Sequence, residues 1–386
     1  MVMEDRIRIL FVVDQIYGPT GGTEQNISFL LHHLPRQRFE IHLVILRDTG
    51  FYDSKFFTVE PTLVPFRSFS SCIQLKSAIL HLSQIIRERR IDVVHTFFPD
   101  SELLSILATR MGRRCALIAT RRNMGFRHTH LSLWRTRFTN WFIPHFLANS
   151  KKVKEYIGRL EWIPQNKINV IYNPLQKDRI EEGLQKSFSK GCFGIDNGEK
   201  IIGIVANLTP VKDYSTFLRA AGIIIEKNPQ TKFVIVGESD LEEKKRLDFL
   251  ISNLGLDLNV IYVGKHENPI PFVKMFDVGV LCSKSEGLSN SLIEYAAMGL
   301  PAVATGVGGN SEVVVQNETG FLVPPENPEE LALHIIKLLK SDDLRRSFGQ
   351  KARKVVEERF DQNRVITAYE EFYQKIIQLR EIRYGR

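Results

Sequence analysis

Short, almost wholly apolar β-branched runs recur along this chain, most of them followed by a segment with apolar residues at helical spacing, and that alternation leaves few folds open. A strand that is apolar at every position is covered on both faces, and strands separated by helices run parallel, because each helix carries the chain back to the starting edge. "IRILFVVD" (7–14), the turn "YGPTGGT" and a helix carrying Ile27, Leu30, Leu31 and Leu34 form the first such unit. Further strands are expected at "IHLVIL" (41–46), "DVVHTFF" (92–98), "CALIAT" (115–120), "HFLANS" (145–150) and "INVIYN" (168–173). From Asn173-Pro174 to Asn197-Gly198 the pattern fades into a polar stretch that reads as a join. A second series follows, with strands at "KIIGIVAN" (200–207), "KFVIVG" (232–237), "VIYVG" (260–264), "VGVLCS" (278–283) and "PAVAT" (301–305). "NPEELALHIIKLLKS" is then a helix with Asn327 as N-cap and Pro328 in its first turn, and the tail from Arg364 to Arg380 is helix-like. The expected architecture is α/β: two doubly wound Rossmann-like domains, 1–175 and 198–360, with a cleft between them. A C-terminal helix in 361–386 is free to return to the N-terminal domain.

With 43% hydrophobic and 25% charged residues over 386 positions, the chain can bury large cores and is neither disordered, collagenous nor a coiled coil. No stretch approaches the roughly 18 to 20 apolar residues that cross a bilayer, and the run Ile7–Val13 meets Asp14 too soon for a secretory leader. Cytoplasm is the expected compartment. The four cysteines, separated by 43, 77 and 90 residues and not clustered with histidine, argue against zinc and disulfide scaffolds. The net charge of +8 is lopsided: 24 Lys and Arg face 14 Asp and Glu up to Leu175, and 28 face 30 thereafter. A basic first half suits an anionic partner (a phosphate-bearing substrate, a membrane surface or nucleic acid) or is a solvated basic surface.

Chemistry concentrates in "LCSKSEGLSNSLIEYAAMGLPAVATGVGGNSE" (281–312). A buried strand ends at Ser283, a loop carries Glu286 and Gly287, and a helix starts near Ser289 or Asn290 and stops at Gly299, before Pro301. Glu294 lies about one turn into that helix, and the spacing allows both carboxylates to face one cavity. Carboxylates accept hydrogen bonds in pairs, which suits the adjacent hydroxyls of a ribose or hexose. The N–H groups of Asn290, Ser291 and Leu292 would offer a phosphate a positive helix pole. "TGVGGN" (305–310) adds glycines that let backbone approach a ligand.

This segment closely resembles the donor-binding signature of glycosyltransferase family 4, whose members are retaining enzymes of the GT-B fold. Glu286 and Glu294 match its E-x7-E pair, and Gly299-Leu300-Pro301 its G-x-P turn. "VANLTPVKD" (205–213) is similar to the family's diphosphate-binding turn, "FVIVGES" (233–239) to a core strand, and "GGTEQNISFLLHHL" (21–34) to its N-terminal glycine loop and helix. "DVVHTFF" and "ANSKKVKEYI" fit as well, so nearly the whole chain is covered in order. The resemblance implies a cytoplasmic enzyme, peripheral on the inner face of the membrane if lipid-associated, that moves a sugar from a UDP- or GDP-sugar to a glycan or lipid-linked acceptor with retention. By position, Glu294 would hold the ribose, Glu286 the donor sugar and Lys212 the diphosphate, with Lys212 and Glu286 the catalytic pair. Asn207, Gly287, Leu288, Ser289, Asn290 and Ser291 would complete the donor site with Gly21 and Gly22. No D-x-D triplet occurs, which fits a site without metal or other cofactor.

Two positions depart from the family pattern. The usual diphosphate arginine falls at Asn207, which carries no charge, and a histidine of the N-terminal half falls at Arg122, which cannot act as a base at neutral pH. Arg121 and Arg122 would instead clamp a phosphate or an acidic sugar on the acceptor side. His95, at the end of a strand, is either another acceptor-side group or a satisfied core histidine. These departures keep open a non-catalytic scaffold that binds sugar nucleotide or glycan, and another GT-B enzyme such as a sugar-nucleotide epimerase. From Arg127 to Lys154, Trp134, Phe138, Trp141, Phe142 and Phe146 interleave with basic residues. Their spacing of three to four reads first as a core-facing helix, the alternative being peripheral contact with an anionic membrane. Nucleic acid has no recognised motif here.

Overall fold

A computed structural model describes residues 6–125 and 129–384, with side chains as far as Ile382. Arg127 lies outside the described residues. The chain forms two compact units, one running to Tyr172 and resuming at Asn363, the other Asn173–Gln362.

The first unit contains β1 (Ile7–Val13), α1 (Gly22–His33), β2 (Phe39–Ile45), β3 (Pro61–Leu63), α2 (Cys72–Glu88), β4 (Val93–Thr96), α3 (Pro99–Met111), β5 (Ala116–Arg121), α4 (His130–Asn140), β6 (His145–Ala148), α5 (Lys151–Leu160) and β7 (Ile168–Val170). Its strands are all parallel, in the order β3-β2-β1-β4-β5-β6-β7. The apolar run of β1 is explained by its two covered faces. Ile9, Phe11 and Val13 pack with Phe29 and Leu30 of α1, while Leu10 and Val12 pack with Leu82 and Ile86 of α2 and Leu104 of α3.

The second unit contains α6 (Lys177–Gln185), β8 (Lys200–Val205), α7 (Tyr214–Lys227), β9 (Thr231–Val236), α8 (Leu241–Asn253), β10 (Val260–Gly264), α9 (Ile270–Val273), β11 (Val278–Leu281), α10 (Asn290–Ala297), β12 (Ala302–Thr305), α11 (Asn310–Val313), β13 (Gly320–Val323), α12 (Pro328–Leu339) and α13 (Asp342–Arg359). Its parallel sheet has the order β10-β9-β8-β11-β12-β13. The last helix, α14 (Gln362–Tyr384), adds Val365, Tyr369, Phe372, Tyr373 and Ile376 to the core of the first unit. In each sheet the winding direction reverses once, between β1 and β4 and between β8 and β11. The connections on either side of those strand pairs run to opposite faces of the sheet, and folds of this kind collect ligands beyond the carboxyl ends of such strands.

The structure corrects the sequence reading in three places. The polar stretch 173–198 is no bare join: it holds α6, whose Arg179 carbonyl accepts a hydrogen bond from Asn268 Nδ2 at 2.7 Å within the second unit. The short edge strands β3 and β13 were not expected, because three or four residues flanked by Pro61 or by the turn before Gly320 show no measurable period. The strand expected over 168–173 ends at Val170. Among the described residues no helix is long and apolar enough to cross a membrane.

Candidate functional site

In the second unit, the reversal between β8 and β11 brings two loops together. Beyond β8 the chain makes a tight turn over Pro210–Lys212 and enters α7 through Asp213, whose left-handed backbone (φ 51°) lets its carboxylate cap Thr216 N. Beyond β11, Lys284 N donates to Val211 O at 2.8 Å, which fixes the two loops side by side. Lys212 Nζ therefore reaches Glu286 Oε1 at 2.5 Å, and Ser283 Oγ donates to the same oxygen at 2.6 Å. Gly308, at φ 51°, passes so close that a Cβ there would sit 1.8 Å from the Glu286 carbonyl oxygen, so only glycine fits.

Helix α10 starts as its sequence suggested. Ser289 Oγ accepts from Leu292 N at 3.3 Å, and Gly299 turns left-handed (φ 68°) just past its end. Asn173 Nδ2 donates to Leu288 O and to Asn290 Oδ1, clamping the helix start. Ser291 Oγ donates to Val205 O and Val205 N to Tyr295 Oη, which tie the helix onto the end of β8. One expectation changes here: the Leu292 N–H already serves the Ser289 cap, so of the three N–H groups expected at the helix pole it is the one already engaged by a side chain. Glu294 is buried, and among the described residues its carboxylate accepts no hydrogen bond, its carbonyl serving Met298 N within the helix. Its one charged neighbour is Arg179 of α6, with Nε 3.4 Å from Oε1, and that Nε makes no hydrogen bond. Burial raises the Glu294 pKa above the usual carboxylate range, and Arg179 pulls it back in part.

The first unit sorts its candidates into two groups. Arg122 Nη2 donates to Gly22 O at 3.0 Å, so Arg122 lies against the glycine turn that opens α1. Gly21 is the N-cap, and the Glu24 carboxylate folds back over it. Burial raises the Glu24 pKa and the Arg122 charge opposes the rise. Arg121, expected on the acceptor side, is instead a core group, and of the two readings open for His95 the structure takes the satisfied core histidine. All five N–H donors of Arg121 are engaged, by Glu102, Glu161, Asn140 and the Thr120 carbonyl, with no donor left for a ligand. His95 is fully enclosed, with Nδ1 2.8 Å from Tyr373 Oη and Nε2 2.6 Å from Thr120 Oγ1. Burial pushes its pKa down to about 3, so it is a neutral, satisfied ring.

Two family models match the chain in sequence order: Glycosyltransferase Family 4 over residues 20–179 and Glycosyl transferases group 1 over residues 185–355. This chain belongs to the group 1, family 4 glycosyltransferases. The capsular polysaccharide biosynthesis glycosyltransferase CapM of Staphylococcus aureus is 24% identical over 91% of this chain and 94% of its own. The N-acetyl-alpha-D-glucosaminyl L-malate synthase of Bacillus anthracis is 29% identical, in a match that spans only 55% of either chain. Among solved structures, Anabaena HepE in complex with UDP superposes with a TM-score of 0.81 over 96% of this chain and 100% of its own, at 21% identity, and shares the GT-B fold.

Within this glycosyltransferase, sequence reasoning overlooked Arg179, Asn173 and Ser283. Arg179 was hidden in a stretch whose helical signal is modest: Asp178 in the first turn, then Ile180 and Leu184 four apart. Ser283 and Glu286 carry an S-x-x-E spacing, the separation at which a hydroxyl and a carboxylate meet across a turn. Asn207, in place of the family arginine, uses Oδ1 to accept from Glu238 N at 3.1 Å and so joins the loops after β8 and β9.

Proposed function

We propose that this glycosyltransferase moves a sugar from a UDP- or GDP-sugar to a glycan or lipid-linked acceptor with retention at the anomeric carbon, the second unit holding the donor and the first the acceptor. Glu294 carries the reading. Its mostly buried side chain has Arg179 as its charged neighbour and no hydrogen bond from the described residues, while its oxygens stay reachable from outside, so the two hydroxyls of a ribose would find both acceptors open. Lys212 and Glu286 then divide the remaining work. The ammonium now held by Glu286 turns to the diphosphate, and the released carboxylate, steadied by Ser283, takes hydroxyls of the donor sugar. As the bond from the anomeric carbon to the phosphate oxygen breaks, charge grows on the diphosphate, and fixed cations aimed there act mainly on the transition state. The acceptor oxygen bonds to the anomeric carbon on the same face, and its proton passes to the departing phosphate oxygen. No protein base is required, which agrees with Arg122 standing at a histidine position. Lys212 and Arg179 supply positive charge that other transferases take from a metal ion.

HepE, of the same fold, was solved with UDP, which favours a uridine donor, and CapM is named for capsular polysaccharide biosynthesis, which favours an assembly role in glycan synthesis. Incubation with UDP- and GDP-sugars without acceptor tests the proposal, since slow release of free nucleotide marks an active donor site. Nucleotide release that persists in EDTA is expected. Tight nucleotide binding with no turnover of any nucleotide-sugar would replace the transferase with a binding scaffold.

A further inference from the structure

Helix α4 is built inside out. It buries Thr136, Thr139 and Asn140 and exposes Leu131, Trp134, Phe138 and, at its C-cap, Trp141. Steps of three, four and three place those four apolar residues on one face, the stripe that a helix of a globular protein normally turns to its core. The polar side decides the orientation. Asn140 Nδ2 donates to Glu161 O and Oε2, and its Oδ1 accepts from Arg121, whose guanidinium is locked between Glu102 and Glu161. Rolling the helix would withdraw Asn140 and leave one Arg121 N–H and the Glu161 acceptors without that buried partner, so the aromatic face stays outward.

The face continues beyond the helix. Trp162 meets Trp134 edge-on with ring centroids 5.4 Å apart, and Arg137 lies over the Trp162 ring at 4.0 Å. Trp162 is held at φ 57°, a left-handed conformation that is an outlier for so bulky a residue, beside Glu161 of the buried cluster. All three tryptophans of the chain are therefore on this face and more than half exposed. Arg110 covers the Phe142 ring at 4.4 Å, and the next residue, Met111, lines an apolar groove of about 210 Å³ with Leu75, Ile79 and Leu80. The segment itself is strongly basic: residues 103–154 contain eleven Lys or Arg, of which Arg121 is buried, and no Asp or Glu, while Asp100 from outside it lies 4.0 Å from Arg135. Aromatic rings with polar edges, interleaved with long cationic side chains, suit the boundary between lipid headgroups and acyl chains. An apolar groove beside them suits hydrocarbon rather than nucleic-acid bases.

We propose that this face docks the protein on an anionic lipid bilayer, with Leu131, Trp134, Phe138 and Trp141 at the acyl boundary and the arginines at phosphate level. The proposal stands apart from the donor reading because its readout is partitioning, not turnover. The protein is sedimented with vesicles of phosphatidylglycerol and phosphatidylcholine, and with phosphatidylcholine alone. Binding to the anionic vesicles is expected, weakening with added salt. The variant Trp134→Ser/Phe138→Ser/Trp141→Ser should lose at least about tenfold in partitioning, with thermal midpoint and nucleotide release unchanged. In the unaltered protein, tryptophan emission should shift to the blue on adding anionic vesicles, because every indole lies on the proposed face. Equal binding to both vesicle types, or emission that does not move, overturns the proposal. So does a vesicle-free dimer that the triple substitution dissociates, which would make the face a contact between two copies, or oligonucleotide binding that those substitutions abolish.

Discussion

Glu294→Gln separates a ligand-binding carboxylate from a structural one, because the two roles predict different signs. In the free protein Glu294 is buried beside Arg179, their side chains 11% and 17% exposed, so solvent screens the pair little. Their contact lacks a hydrogen bond at Arg179 Nε, so the attraction offsets only part of the cost of burying the charge. Its pKa is raised on folding, so the stabilising share belongs to the protonated form: it is full below the unfolded pKa and is lost as pH rises through the folded one. At neutral pH the neutral amide removes that penalty, and the thermal midpoint should stay level or rise. Nucleotide binding should move the other way. Two charge-assisted bonds from a ribose, at about 1.5 to 3 kcal/mol each, are partly replaced by a single amide oxygen, for a net loss of about 2 to 4 kcal/mol. That corresponds to roughly thirtyfold to a thousandfold weaker binding of UDP or GDP by titration calorimetry. An unchanged dissociation constant, or weaker binding that only tracks a lowered midpoint, would refute the ribose assignment.

Four further outcomes are expected. Lys212→Ala should lower donor turnover about a hundredfold to a thousandfold while the protein remains folded, measured by nucleotide release. Gly308→Ala should impair donor use by pushing the loop off the Glu286 carbonyl, with a well-folded circular dichroism spectrum. The His95 pKa is depressed to about 3, so its contribution to stability is complete above the unfolded value near 6.5 and is lost as pH falls toward 3. Denaturant titrations should show that loss at up to about 1.4 kcal/mol per pH unit, a slope that His95→Gln flattens. Arg121→Met should cost about 3 to 5 kcal/mol in the same titrations, since it leaves Glu102 and Glu161 buried without their partner.

The candidate site of the second unit was legible because its signals are local. Strand, turn, Ser289 cap and Gly299 stop lie within one short segment, and each follows from backbone chemistry at its own position. Lys212 and Glu286 lie 74 positions apart: resemblance to the family turn alone singled out Lys212, and its contact with Glu286 was not expected. Arg179 escaped because nothing near it in sequence indicates that α6 packs beside α9 and reaches α10; Asn268, just before α9, and Glu294 of α10 establish that from distant parts of the chain.

Helix α4 shows the other limit. Its period identified a helix correctly and its buried face wrongly, because hydrophobic patterning assumes that the apolar stripe faces the core. What reverses the assumption is a buried arginine that needs more acceptors than its own strand provides. Arg121 ends β5, where a parallel sheet leaves its side chain covered, and it recruits Glu102 of α3, Glu161 just past α5 and Asn140 of α4. Once these are joined, the polar edge of α4 is the only one compatible with burial, and the tryptophans face out as a consequence. Arg121→Met paired with Glu102→Leu and Glu161→Leu tests this chain of causes: with the polar demand gone, α4 is free to turn its aromatic stripe inward. Tryptophan emission should then shift to the blue without lipid. If it stays at the wavelength of the unaltered protein in a folded variant, the cluster is not what sets the face.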